Sequence, residues 1–204
     1  MNAPQPHDLL WGMTPAALPA EAPGWAAQGV AAGHPVVVRR AACAAGWVAV
    51  GVRGEGRALR LAAQMRLADV SRQTSPEALR WQGESPWAAL QALASVAPVL
   101  DASGLAWGPT GGVGYQLASG VNVLHAGSDL DLVLRTPQPL ARTQARELLD
   151  ILDCGPCRID VQLETPAGAI ALREWAGMSR RVLLKSVQGA RLVADPWHLL
   201  ECAA

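Results

Sequence analysis

The spacing of apolar residues changes partway along the chain, and with it the kind of element expected. In the first third, apolar residues form short runs interrupted by Gly and Pro. Pro35-Val36-Val37-Val38-Arg39-Arg40 is a compact β-branched strand, and Trp47–Arg53 alternates as its partner. An Ala-rich stretch between Pro15 and Ala32 has weak helical character broken by prolines, and Gly54-Glu55-Gly56 marks a turn. From Ser85 the period lengthens. Ser85 suits an N-cap and Pro86 a first helical position, and Leu90, Leu93, Val96 and Leu100 recur at three to four residues.

Beyond that helix, strand and helix patterns alternate. Leu105–Trp107 reads as a short strand, Val113–Ala118 as a short helix and Asp129–Arg135 as a strand. Pro139–Leu152 is an amphipathic helix, Arg158–Glu164 a strand and Gly168–Ala176 a helix. Arg180–Lys185 and Ala190–Val193, joined across Val187-Gln188-Gly189, resemble a terminal hairpin. These elements predict an α/β (α+β) protein: a mixed sheet with flanking helices in residues 79–204, preceded by a smaller β-rich domain in residues 1–78. The polar stretch from Ser71 to Gln82 carries the expected boundary, and no internal repeat is visible.

Half of the 204 residues are hydrophobic, enough for a sizeable core. No apolar run approaches the roughly 20 residues of a membrane helix. The segment Met1–His7 also lacks a charged stretch followed by an apolar one. A soluble, cytoplasmic protein with no membrane partner is expected. Net charge is zero and the arginines are scattered, so nucleic acid is not expected as a main partner.

The chemistry concentrates in the second part. A glycine-rich stretch, Trp107-Gly108-Pro109-Thr110-Gly111-Gly112-Val113-Gly114, precedes Ser128-Asp129-Leu130-Asp131-Leu132, and Arg158-Ile159-Asp160-Val161 follows. Carboxylates at i and i+2 of a strand share a face, with Cα atoms roughly 6.5–7 Å apart. Asp129 and Asp131 sit among Leu130, Leu132, Val133 and Leu134, where two like charges are costly without a cation. Asp160, between Ile159 and Val161, is the natural third acid, its other reading being an edge-strand surface residue; Glu164 shares its parity as a fallback ligand. Such an all-oxygen pocket suits Mg²⁺ with substrate phosphates completing its shell. The glycine loop offers backbone N–H groups to those phosphates. It is not a P-loop, since no Gly-Lys-Ser/Thr follows.

Cations for the phosphates come from Lys185, which ends an apolar strand, and from Arg135, Arg158, Arg173, Arg191, Arg39 and Arg40. His125, just before Asp129, is either a general base or a structural imidazole, whereas His7, His34 and His198 show no catalytic spacing. Cys154-Gly155-Pro156-Cys157 has the letters of a thioredoxin-type site in the reversed order of elements, helix before and strand after. It therefore reads as a turn with two incidental thiols. Cys43 and Cys202 lack metal-ligand spacing.

Residues 111–118 (Gly-Gly-Val-Gly-Tyr-Gln-Leu-Ala) and 124–132 (Leu-His-Ala-Gly-Ser-Asp-Leu-Asp-Leu) resemble malonate decarboxylase holo-acyl-carrier-protein synthase, the phosphoribosyl-dephospho-CoA transferase family. The resemblance runs nearly end to end. It includes His7–Trp11, Pro35–Arg40, Val50–Gly54, Val161–Ala169, Leu184-Lys185, Gly189–Leu192 and Pro196-Trp197-His198. It implies a nucleotidyltransferase-like domain whose acidic pair corresponds to Asp129 and Asp131. The implied activity moves 2′-(5″-triphosphoribosyl)-3′-dephospho-CoA onto a serine of the apo acyl-carrier subunit of malonate decarboxylase, releasing diphosphate. Nucleotidyltransferase loops typically read Gly-Ser, and here Gly112 holds the Ser position.

On this reading Asp129 and Asp131 hold Mg²⁺ against the triphosphate, and Asp160 helps bind a second ion and activates the carrier serine. Gly111, Gly112, Ser128, Lys185 and Arg191 face the phosphates. Arg39, Arg40 and Arg53 of the first domain meet the CoA portion or the carrier. Two other readings keep the residues but change the function: a nucleotidyltransferase using ATP or another nucleoside triphosphate, and a non-catalytic carrier-binding module.

Overall fold

In the computed structural model, residues 3–56 and 59–198 are described. Two sheets organise them. The first is antiparallel, in the order β4-β3-β2-β1-β5. It comprises β1 (Leu9–Trp11), β2 (Val36–Val38), β3 (Trp47–Arg53), β4 (Arg60–Arg66) and β5 (Arg72–Thr74). The expected pairing of the two β-branched runs is present, with Val37 opposite Gly51 and Val38 opposite Val50. Strands β1, β4 and β5 are additions to the sequence reading. β1 and β5 have three residues each, and β4 buries only Ala63 and Met65 between exposed neighbours, so its alternation is faint. Leu10, Val36, Val38, Val50, Val52 and Met65 form this sheet's core with Ala26 and Val30 of α1 (Gly24–Ala31).

The second sheet is mixed, as expected, in the order β11-β10-β9-β8-β7-β6. Its strands are β6 (Trp107–Pro109), β7 (Leu130–Arg135), β8 (Ile159–Thr165), β9 (Gly168–Ala171), β10 (Val182–Ser186) and β11 (Gly189–Val193). Strands β7 and β8 run parallel, joined over α4 (Arg142–Leu152) as parallel neighbours require. Helix α2 (Ala88–Ala102) buries the four predicted residues Leu90, Leu93, Val96 and Leu100. Among the described residues no helix is long and apolar enough to cross a membrane.

Three boundaries differ from the pattern reading, each for a local reason. α2 starts at Ala88 because Ser85 Oγ accepts the Trp87 N–H (3.2 Å), closing a turn ahead of the helix. α4 starts at Arg142, where Gln144 Oε1 accepts the N–H of Ala141. Gly168–Ala171 is a strand, because its backbone pairs with β8 and β10. Only Leu172–Ala176 is helical, as α5.

Strand register decides what faces what. Leu130, Leu132 and Leu134 of β7 and Ile159, Val161 and Leu163 of β8 lie in one core cluster with α2. The opposite face carries the cross-strand pairs Asp131–Asp160, Val133–Gln162 and Arg135–Glu164. This second face and the helix that carries Tyr115 meet residues of the first part of the chain. Arg40 donates to Glu164, Arg135 Nε to Glu77 Oε1 (2.6 Å), and Tyr115 Oη to the Pro35 carbonyl (3.3 Å).

Candidate active site

The three predicted acids converge. Asp129 immediately precedes β7, Asp131 is its second residue, and Asp160 sits beside Asp131 on the parallel strand. One carboxylate oxygen from each lies within 4.8 Å of the others, and all three residues are half-buried. Bonds of about 2.0–2.1 Å to Mg²⁺ place neighbouring ligand oxygens roughly 3 Å apart and opposed ones roughly 4 Å apart. The donor set is hard oxygen throughout, and a closure of up to roughly 2 Å between neighbouring oxygens would bring it onto one ion. The residues present therefore fit the cation inferred from the sequence.

The glycine-rich stretch is not a free loop: Trp107–Pro109 is strand β6, and Gly111 to Gly114 form the first turn of a helix, α3 (Gly111–Ser119). Thr110 occupies the N-cap, and its N–H donates to the Asp131 carbonyl (2.8 Å), tying the helix start to the acidic strand. Gly111 has φ +57°, and a Cβ there would lie 2.0 Å from Asp131 Oδ2. A side chain at this position would displace the carboxylate. A Cβ at Gly112, by contrast, would lie 3.3 Å from Leu124 Cδ2 and 3.7 Å from Arg53 Nη2, so a small side chain nearly fits. The N-terminus of α3, where first-turn N–H groups have no partner within the helix and the helix dipole is positive, lies against Asp131, an arrangement suited to phosphate.

Ser128 and His125 form the turn that delivers Asp129. Ser128 Oγ accepts the His125 N–H (3.0 Å), and His125 Nδ1 accepts the Gly127 N–H (3.2 Å). Both residues also line a small cavity of about 90 Å³ with Gly111, Gly112, Asp129, Asp131, Arg53 and Arg60.

The cations separate into groups. Lys185 lines a cavity of about 480 Å³ that also contains Asp131, Asp160, Arg158 and Arg173. The chain of pairs Glu164–Ala169–Lys185 puts Lys185 on the acidic face. Arg191 lies opposite Leu184, whose buried side chain points the other way, so the register separates Arg191 from Lys185. Arg158 bonds Asp160 Oδ1 (3.0 Å from Nε), and Arg173 pairs with Asp153 at the surface. Arg39 belongs to a different cavity, between the two sheets. Arg39 is exposed, whereas Arg40 is engaged at the interface with Glu164, so Arg40 is not an ordinary solvated cation and Glu164 is not a spare metal ligand.

Burial pushes the Glu164 carboxyl up, but the His7 hydrogen bond, the Arg40 charge and the Gln162 amide outweigh it and hold its pKa at about 2. His7 was missed by spacing arguments. It comes from the far end of the chain, has φ +78°, and lies with Nε2 2.7 Å from Gln162 Nε2. It lines both larger cavities. The one signal for it in the sequence was the His7–Trp11 segment of the family resemblance.

The thiols behave as a turn. Cys154 and Cys157 are both free, between α4 and β8, and burial raises the Cys157 pKa, the opposite of a reactive thiolate. Cys202 lies outside the described residues.

Comparison with known proteins adds the family. Residues 5–76 match the phosphoribosyl-dephospho-CoA transferase MdcG N-terminal domain, and residues 61–196 match the MdcG C-terminal domain. The chain belongs to the phosphoribosyl-dephospho-CoA transferase family. A phosphoribosyl-dephospho-CoA transferase of Pseudomonas putida (strain W619) is 81% identical over all of both chains. That of Azotobacter vinelandii is 60% identical, covering 96% of this chain and 95% of its own. That of Pseudomonas aeruginosa is 51% identical, covering 98% and 97%. No solved structure matches. The family's C-terminal match begins within β4, so its boundary cuts through the first sheet. The chain is thus a transferase by family.

Proposed function

We propose that this chain transfers the 2′-(5″-triphosphoribosyl)-3′-dephospho-CoA prosthetic group onto a serine of the apo acyl-carrier subunit of malonate decarboxylase. The observation that carries the reading is the convergence of Asp129, Asp131 and Asp160 at the start of α3, with Gly111 shaped around Asp131. The family name supplies the donor.

In the reaction, the serine Oγ forms a bond to the phosphorus nearest the ribose. The bond from that phosphorus to its bridging oxygen breaks, the electron pair leaves on diphosphate, and the serine proton passes to a carboxylate. Asp160 is the acceptor for that proton; Arg158 orients it through Oδ1. Asp129 and Asp131, joined by Asp160, would hold Mg²⁺, which supplies Lewis-acid polarisation of the phosphoryl oxygens and neutralises their charge. The N–H groups of the first α3 turn and Lys185 bind the departing diphosphate. Ser128 keeps Asp129 at the mouth of the site by bracing its turn. The proposed division of labour, near residue 78, gives chemistry to the second half and recognition to the first.

Intact mass of the purified apo carrier after incubation with enzyme, Mg²⁺ and the triphosphoribosyl donor tests this directly. A gain equal to the prosthetic group with diphosphate released is the expected result. Modification by ATP instead would replace the donor while keeping the site, and no gain with either donor would remove the transferase reading of this acceptor.

A further inference from the structure

The first sheet has two faces, and only one is occupied by its own core. Leu9, Val37, Gly51 and Ala62 are successive cross-strand partners, forming one row across β1, β2, β3 and β4. Residues in such a row point to one side of a sheet. Two positions further along β3 and β4, Arg53 and Arg60 stand opposite each other on that same side, and Arg39 follows Val37 by two. The hydrophobic cluster uses the alternate positions Leu10, Val36, Val50 and Ala63, on the other side.

The row forms one wall of a cavity of about 480 Å³. The opposite wall is α3, through Gly114 and Tyr115, with Leu79 and Pro109 beside it. This volume lies within the range of small-ligand sites, about 300–1,000 Å³. The lining is mostly apolar apart from Thr110, His7 and the three cations Arg39, Arg53 and Arg60, and among the described residues no carboxylate faces it. The field inside therefore favours an anion with a substantial apolar body.

Its position relative to the acids is equally specific. Gly111 and Thr110 line both this cavity and the acid-bearing one, and Arg53 and Arg60 also line the small cavity around Asp129 and Asp131. A ligand with its triphosphate at the acids therefore has its remaining half within reach of the cavity across a single helical turn.

We infer that this inter-sheet cavity binds the dephospho-CoA end of the donor, a nucleoside diphosphate with an apolar amide tail. Arg39, Arg53 and Arg60 hold the diphosphate, and the Leu9–Val37–Gly51–Ala62 row with Tyr115 holds the uncharged portion. This rests on the transferase reading for the identity of the donor, but it concerns a different wall of the molecule. It also makes the β-rich half the element that recognises the unreactive part of the donor.

The test is calorimetric titration of 3′-dephospho-CoA into the full chain with EDTA and no metal, for the wild type and three variants. Ala62 is exposed on β4, so substitution there changes the cavity without opening the core. Ala62→Glu places one carboxylate against the diphosphate and should weaken binding at least about tenfold; Ala62→Gln, of equal size and no charge, should weaken it less. Asp131→Asn should bind within about twofold of wild type, because the acids serve only the reacting end. Melting temperatures of all four proteins verify folding. Absence of wild-type binding, equal binding by the Glu and Gln variants, or loss of binding in Asp131→Asn would each overturn the assignment. Transfer to the carrier is read separately by mass. Transfer without a charge effect at Ala62 removes the cavity and keeps the transferase; binding with the charge effect but no transfer does the reverse.

Discussion

The two larger cavities have the same volume, about 480 Å³, and share Gly111, yet they are built from opposite materials. One is walled by the second sheet and contains Asp131, Asp160, Arg158, Arg173 and Lys185. The other is walled by the first sheet and combines an apolar lining with guanidinium groups and, among the described residues, no carboxylate. On the proposed function the difference separates two physical roles. Displacement at phosphorus needs closely placed charges of both signs, whereas holding a large uncharged body needs apolar surface with a few placed cations. A single turn of α3 joins the two.

The sharpest way to break that division is Asp131→Asn. On the proposed function Asp131 is a metal ligand whose loss removes several kcal/mol of transition-state stabilisation, so carrier modification should fall on the order of 10³-fold with the melting temperature preserved. Near-normal turnover would mean that the acid-lined cavity is not where the reaction occurs.

Next comes Gly111→Ala, at the wall both cavities share. Its Cβ overlaps Asp131 Oδ2, and φ +57° is unfavourable for alanine by roughly 1–2 kcal/mol. Misplacement of the carboxylate by about 1 Å should lower transfer about 100-fold, with a modest fall in melting temperature. Gly112→Ala, which meets only a 3.3 Å contact with Leu124, is the control and should keep most activity.

A third experiment asks what holds the cavities together. Arg40 and Glu164 are 17% and 9% exposed, so Arg40→Ala leaves a mostly buried carboxylate without its cation. Chemical denaturation should show a loss of about 3 kcal/mol. The pH dependence follows from the depressed Glu164 pKa. The ionised form is favoured in the folded state, so this contribution is complete above the ordinary value of 4.5. It is lost as pH falls from there through about 2. Wild type should therefore lose more stability than Glu164→Gln between pH 5 and pH 3, and parallel curves would refute the coupling.

The smallest effect is expected outside both cavities. Replacing Cys154 and Cys157 together by Ser should leave transfer unchanged, as measured by carrier mass. A large loss would return a redox role to a pair that the structure places in a helix-to-strand turn.

Much of the acid-lined cavity was legible because its determinants are local. Asp131 is the second residue of a strand rich in Leu and Val, and Asp129 lies two residues before it at the strand's entrance, the spacing that extended chain puts on one face. The β-rich half was legible only in part. β2 and β3 stood out through valine runs, while β1, β4 and β5 are short or Ala-rich and gain their extended form from partners distant in sequence.

The sequence by itself determined the family, the mixed α and β content and the identity of the three acids, because motif spacing and side-chain periodicity are properties of neighbouring residues. Tertiary structure alone decided three further matters. It brought Asp160 beside Asp131 through parallel pairing across a crossover helix, and separated Lys185 from Arg191 through hairpin register. It also drew His7 and Arg40 against Gln162 and Glu164, more than a hundred residues away. Each depends on which strands pair and in what register, and the free energy that selects a register comes from burial over whole faces of a sheet.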